Sequence, residues 1–150
     1  MVRLVLLLAL ALSLLGCGRS LPNSTPEGAV REFVEQLSVF EGRPSDADAL
    51  FELLSERGKQ NLRTRAERYG AASGRQISPS AMLVASRVVP AFVPRTYLAR
   101  LSGDEAVVEI RGVTPTERAE LPCVREQGAW RVDLTLPDLP PMRVRPGAAP

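Results

Sequence analysis

Ala29, Val30, Phe33, Val34, Leu37 and Phe40 recur at steps of one, three and four, which places them on one face of a helix. Thr25-Pro26-Glu27 marks its start: the threonine caps free amides, the proline suits the first helical position, and the glutamate meets the positive end of the dipole. Gly42-Arg43-Pro44 stops it. Ser45 with Asp48 three residues on predicts a second cap, ahead of a short helix carrying Ala49, Leu50, Phe51, Leu53 and Leu54. Ser55 restarts the chain into a longer, charged helix reaching about Ala72. On it Leu62, Ala66 and Tyr69 form the apolar stripe, with Arg57, Arg65 and Arg68 along one border and Lys59 and Arg63 beyond the other. Gly70 to Gln76 reads as a turn, and Ser78-Pro79 opens one more helical turn through Leu83.

From Val88 the period shortens to two. Thr96 to Leu101 alternates, Ser102-Gly103-Asp104 turns, and Glu105 to Val113 supplies Val107, Val108 and Ile110. After a loop at Thr114-Pro115-Thr116, Ala119 to Glu126 and Ala129 to Leu134 make two more strands about a Gln127-Gly128 turn. Helices first and a four-stranded meander second predict an α+β domain with the helices packed on one sheet face. Pro137, Pro140, Pro141 and Pro146 then exclude a further central strand, so residues 137–150 read as an extended or disordered tail.

The amino-terminal pattern is of another kind. Leu4 to Leu15 is an apolar run broken only by Ser13, preceded by Arg3 and followed by Gly16-Cys17, the layout of a signal peptide over residues 1–16. A membrane-crossing helix needs about 20 apolar residues, which the run does not reach. Leu14-Leu15-Gly16-Cys17 resembles the lipobox of bacterial lipoproteins, and that resemblance implies diacylglyceryl transfer to the Cys17 thiol and cleavage between Gly16 and Cys17. Residues 17–24 then form a lipidated tether, with two or three acyl chains giving a firm hold where one is marginal. Gly18 after the cysteine favours the outer membrane, facing the periplasm, in a host with two membranes. The plainer alternative is an ordinary signal peptide whose Cys17 pairs with Cys123.

Composition narrows the chemistry. Removing residues 1–16 from 150 leaves 134, enough for one domain with a sizeable core. The formal net charge is +2, so no strongly acidic or basic partner is implied, and an envelope location speaks against nucleic acid. Lys59 is the sole lysine, which fits a GC-rich genome as well as any functional demand. With Cys17 lipidated, Cys123 has no intrachain partner. The arginines of the third helix are better read as a solvated face with stems along the core edge than as a headgroup-binding surface.

The order of elements, with Thr25-Pro26-Glu27, Leu53-Leu54-Ser55 and Gly128-Ala129-Trp130-Arg131-Val132-Asp133-Leu134, resembles the nuclear transport factor 2-like superfamily of cystatin-like fold. Within it the chain looks like the small bacterial lipoproteins without an established role. The resemblance covers residues 25–136 and implies a curved antiparallel sheet wrapped round a long helix into a cone, with an apolar pocket. Tyr69, Tyr97 and Trp130 are the candidates to line it, although Trp130 on a strand is more readily a core plug.

Some members of that superfamily are isomerases, dehydratases or cyclases using Asp with His, or Tyr with Asp. This chain has no histidine. Tyr69 or Tyr97 as hydrogen-bond donor, with Asp133, Glu109 or a helix carboxylate as base, is the arrangement left for an enzyme, but no spacing unites them, and Asp133 reads as an outward polar position. Cys123 sits in a half-buried strand pattern and reads as a structural thiol. Transition-metal ligands are scarce, Asp46 and Asp48 read as helix caps, and no phosphate loop or other cofactor motif is present. The sequence thus predicts a non-catalytic, lipid-anchored binding or docking domain whose partner is an envelope protein or a small apolar ligand. A small-molecule isomerase or hydratase is the alternative, and a structural subunit of an envelope complex a third.

Overall fold

A computed structural model describes residues 21–83, 90–137 and 139. The signal segment, Cys17, the start of the strand pattern at Val88 and nearly all of the proline-rich tail lie outside these residues. Helix α1 spans Pro26–Ser38, α2 Pro44–Glu52 and α3 Glu56–Ser73; strands β1 (Thr96–Ser102), β2 (Glu105–Arg111), β3 (Arg118–Glu126) and β4 (Ala129–Val132) follow. They form one antiparallel sheet in the order β1-β2-β3-β4, an α+β fold with every strand beside its sequence neighbour.

Helix α1 begins as its sequence directs, with the Thr25 side chain accepting a hydrogen bond from the Gly28 amide at 3.1 Å. Ala29, Val30, Phe33, Val34 and Leu37 are buried along its core face. The helix stops at Ser38, ahead of Gly42, and Phe40 is half-buried beyond its end. Residues 22–24, read from the sequence as extended tether, instead make a 3-10 turn running into α1.

The start of α2 corrects the expected cap. Pro44 takes the first helical position and neither Ser45 nor Asp48 caps it. Asp46 accepts from Arg43 Nε at 3.0 Å, while Asp48 reaches across to the Ser80 hydroxyl at 2.6 Å, holding the 3-10 turn Pro79–Met82 against α2. Helix α3 starts on a Ser55 cap and ends at Gly74, whose φ of 66° lies in the left-handed region that glycine enters without a Cβ clash.

Along β2, Ala106, Val108 and Ile110 point one way into the core, meeting Cys123, Leu121 and Ala119 on β3. Val30 and Phe33 of α1, Leu50 of α2, Leu62 of α3, Leu54 of the junction between them, and Trp130 and Val132 of β4 join the same cluster. The short β3–β4 connection is Gln127-Gly128, both with positive φ, as a two-residue hairpin turn requires.

β4 is shorter than its sequence suggests, ending at Val132 and not at Leu134. Asp133 still donates its amide to Pro122 O at 2.8 Å, but proline has no N–H to return, so the ladder loses one bond there. The outer edge of β4 is closed by the α2–α3 junction. The Val132 amide donates to Leu53 O at 3.0 Å and the Ser55 amide to Val132 O at 2.8 Å, a parallel bridge centred on Leu54. No helix among the described residues is long and apolar enough to cross a membrane.

Candidate functional site

Where β3 begins, six separate segments leave a cavity of about 930 Å³. Helix α3 contributes Leu62 and Arg65, the 3-10 turn Met82 and Leu83, and the loop before β1 Phe92. The sheet supplies Ile110 and Leu121, and the chain leaving β4 supplies Leu134 and Leu136. The size is that of a pocket for a small molecule, and the wall is mostly aliphatic and aromatic.

The charged groups around this cavity are already engaged. Glu117 accepts the Val113 and Thr114 amides at 2.6 and 3.0 Å, and those backbone hydrogen bonds hold its carboxyl below the usual glutamate range. Glu120 pairs with Arg100 at 2.7 Å, and Arg118 Nε donates to Pro115 O at 2.8 Å. Arg65 donates to Asn61 Oδ1 at 2.6 Å and to the Pro137 carbonyl, tying α3 to the departing chain. Two arginines and two glutamates balance, so the lining carries no net charge.

The aromatic residues proposed from the sequence do not line this cavity. Tyr69, placed on the apolar stripe, is 59% exposed, because the buried face of α3 stops at Ala66. Tyr97 is half-buried opposite Ile110 with the Arg31 guanidinium 5.1 Å from its ring centre; burial, with the Glu35 charge, raises its pKa. Trp130 is a buried core residue, as its strand position suggested.

Among the described residues two carboxylates are buried, each bound to its own partners. Glu109 lies on the other sheet face from its neighbours Val108 and Ile110, with Arg111 at 2.7 Å, Arg118 at 3.6 Å and Arg100 at 4.0 Å. The Arg111 hydrogen bond, outweighing desolvation, lowers its pKa. Asp133, expected to point outward into water, is 7% exposed. It accepts the Ser55 hydroxyl at 2.6 Å and Arg57 Nε at 3.1 Å, with a second bond from the same guanidinium. The sequence gives no warning of this, because 76 residues separate Arg57 from Asp133 and only the closure of the β4 edge joins them.

Asp133 and Cys123 border a smaller polar hollow of about 500 Å³, with Arg57, Arg100, Glu105 and Glu126 around it. Cys123 is buried and free, and burial, with the charges of Asp133 and Glu27, pushes its thiol up to about 12. A thiol so far from ionisation is a poor nucleophile. The basic residues bordering the α3 stripe bind the protein itself: Lys59 pairs with Glu52 at 2.6 Å and Arg63 with Glu56 at 2.5 Å, both cations lying within 6 Å of the Phe51 ring.

Sequence reasoning missed the wall of the cavity. Leu134 and Leu136 are the one trace in the pattern, an alternation that continues past the end of β4 and faces the cavity without pairing. No family model matches the chain, and no curated protein or solved structure is significantly similar to it.

Proposed function

We propose that this chain is a lipid-anchored envelope lipoprotein whose domain follows the plan of the nuclear transport factor 2-like superfamily and binds a small apolar molecule without transforming it. The observation that carries the binding reading is the 930 Å³ cavity, with a wall dominated by Leu62, Met82, Phe92, Leu121, Leu134 and Leu136. Its charged residues sum to zero and are held by protein partners, which favours an uncharged ligand over an ion. Against an isomerase or hydratase stands the placing of the candidates: Glu109 is bound by arginines, Asp133 by Ser55 and Arg57, and Tyr69 lies in solvent.

The anchor rests on Leu14-Leu15-Gly16-Cys17. Replacing Cys17 with Ser is expected to abolish acylation and release the protein from the membrane fraction. A Cys17→Ser protein still processed after Gly16 and still membrane-bound would contradict the anchor. The ligand reading is tested separately, by extracting the purified native protein with organic solvent and identifying what it carries.

A further inference from the structure

The two edges of the sheet are treated differently. The Leu53–Ser55 segment covers β4, whereas on β1, at the opposite edge, Glu27 is the one side chain among the described residues that binds the outward backbone: its Oε1 accepts the Ala99 amide at 3.2 Å. The ladder fixes which groups face out. Arg125 N donates to Asp104 O at 2.7 Å, so even-numbered β2 residues bond to β3 and odd-numbered ones to β1. By the β1–β2 register, even-numbered β1 residues then bond inward and Tyr97, Ala99 and Leu101 present their N–H and C=O groups outward.

We propose that β1 is the pairing edge for a second copy of this chain, with Glu27 as the side chain that must leave the Ala99 amide before the edges join. Two copies of β1 meeting antiparallel about Ala99 bring Tyr97 opposite Leu101 of the other copy, Leu98 opposite Arg100, and Thr96 opposite Ser102. The outward groups of Tyr97, Ala99 and Leu101 are the ones such a register hydrogen-bonds. No like charges face each other, and the apolar residues that the monomer leaves out, Leu101 at 62% and Leu98 at 45% exposure, are covered. The strand is therefore complementary to itself in backbone polarity and apolar surface, with no like charges directly opposed. Glu27 sets the balance, since its carboxylate occupies the central donor that pairing requires.

The test uses the full-length chain in the bacterial envelope. Ala99→Cys places identical thiols opposite each other at a spacing a disulfide can span. Mild oxidation is expected to give a cross-linked dimer, while Val93→Cys, on an exposed loop, gives none. Adding Glu27→Ala is expected to raise dimer yield at limiting expression, with about a tenfold tighter association. Adding Leu101→Pro, which removes one outward N–H and no β1–β2 bond, is expected to abolish it. Sedimentation of the detergent-solubilised protein, comparing the native sequence with the Glu27→Ala and Leu101→Pro single variants, repeats the comparison without the added cysteine. A monomer in every variant, a dimer indifferent to Glu27 and Leu101, or cross-linking only to a different protein would each overturn the proposal.

Discussion

Ser55 and Asp133 are joined by a 2.6 Å hydrogen bond across 78 residues of sequence, and the same Ser55 oxygen accepts the Gly58 amide at 3.0 Å as the cap of α3. One hydroxyl thus fixes the start of α3 to the chain just beyond β4. Ser55 has no exposed surface and Asp133 very little, so removing the carboxylate leaves a buried donor without its acceptor. Asp133→Ala is expected to lower stability by about 2–4 kcal/mol in urea unfolding. Arg57→Ala should cost less than about 1 kcal/mol, because that side chain is 74% exposed. Equal losses for the two variants would show that the ion pair, and not the Ser55 bond, holds the junction.

Two helical glycines are expected to respond in opposite directions. A Cβ on Gly28 would lie 2.0 Å from the Pro22 carbonyl oxygen, so Gly28→Ala must push the 22–24 turn away from α1, costing about 1–3 kcal/mol. At Gly58 the nearest atoms are at 3.4 Å or beyond, ordinary contact, and Gly58→Ala should gain up to about 1 kcal/mol from helix propensity. Thermal melts of both variants decide this.

Acid should weaken the fold through Glu109 and Glu117. Both have folded-state pKa values below the ordinary glutamate range, Glu109 through Arg111 and Glu117 through the Thr114 and Val113 amides. A depressed carboxyl contributes stability that is present above its unfolded pKa, about 4.3, and is lost as pH falls through the folded value. Unfolding followed from pH 7 downward should show stability holding to about pH 5 and falling below it. Glu117→Gln should flatten that fall, and an unchanged profile would exclude Glu117 as a contributor.

Cys123 should resist thiol reagents in the native protein and react once it is unfolded. Its folded pKa, near 12, lies above the ordinary thiol value, so the contribution is present below about pH 8.5 and is lost as pH rises toward 12. Titration with a chromogenic disulfide at pH 8, with and without denaturant, measures it. Rapid labelling of the folded protein would place the thiol at the surface.

The parts of the fold written in local chemistry were legible in the sequence. The Thr25 cap, the helix restart at Ser55, the α1 stripe and the Gln127-Gly128 turn each depend on residues a few positions apart. What was not legible depends on long-range closure. Asp133 looks outward until Leu53–Ser55 comes alongside β4, and Asp48 looks like a cap until Ser80 arrives from 32 residues away. Tyr69 keeps the helical period of Leu62 and Ala66 but lies beyond the buried part of α3. The cavity is assembled from stretches as distant as Leu62 and Leu136, and no single stretch carries its pattern.

The most direct measurement of the binding account is a fluorescence titration of the purified protein with a hydrophobic dye, comparing the native sequence with Ala119→Phe. Ala119 lines the cavity from β3, and a phenyl group there occupies its space. Saturable one-to-one binding to the native protein is expected, with affinity at least about tenfold weaker in the filled variant while its melting temperature is maintained. Equal binding by both folded proteins, or no saturable binding by the native one, would contradict it.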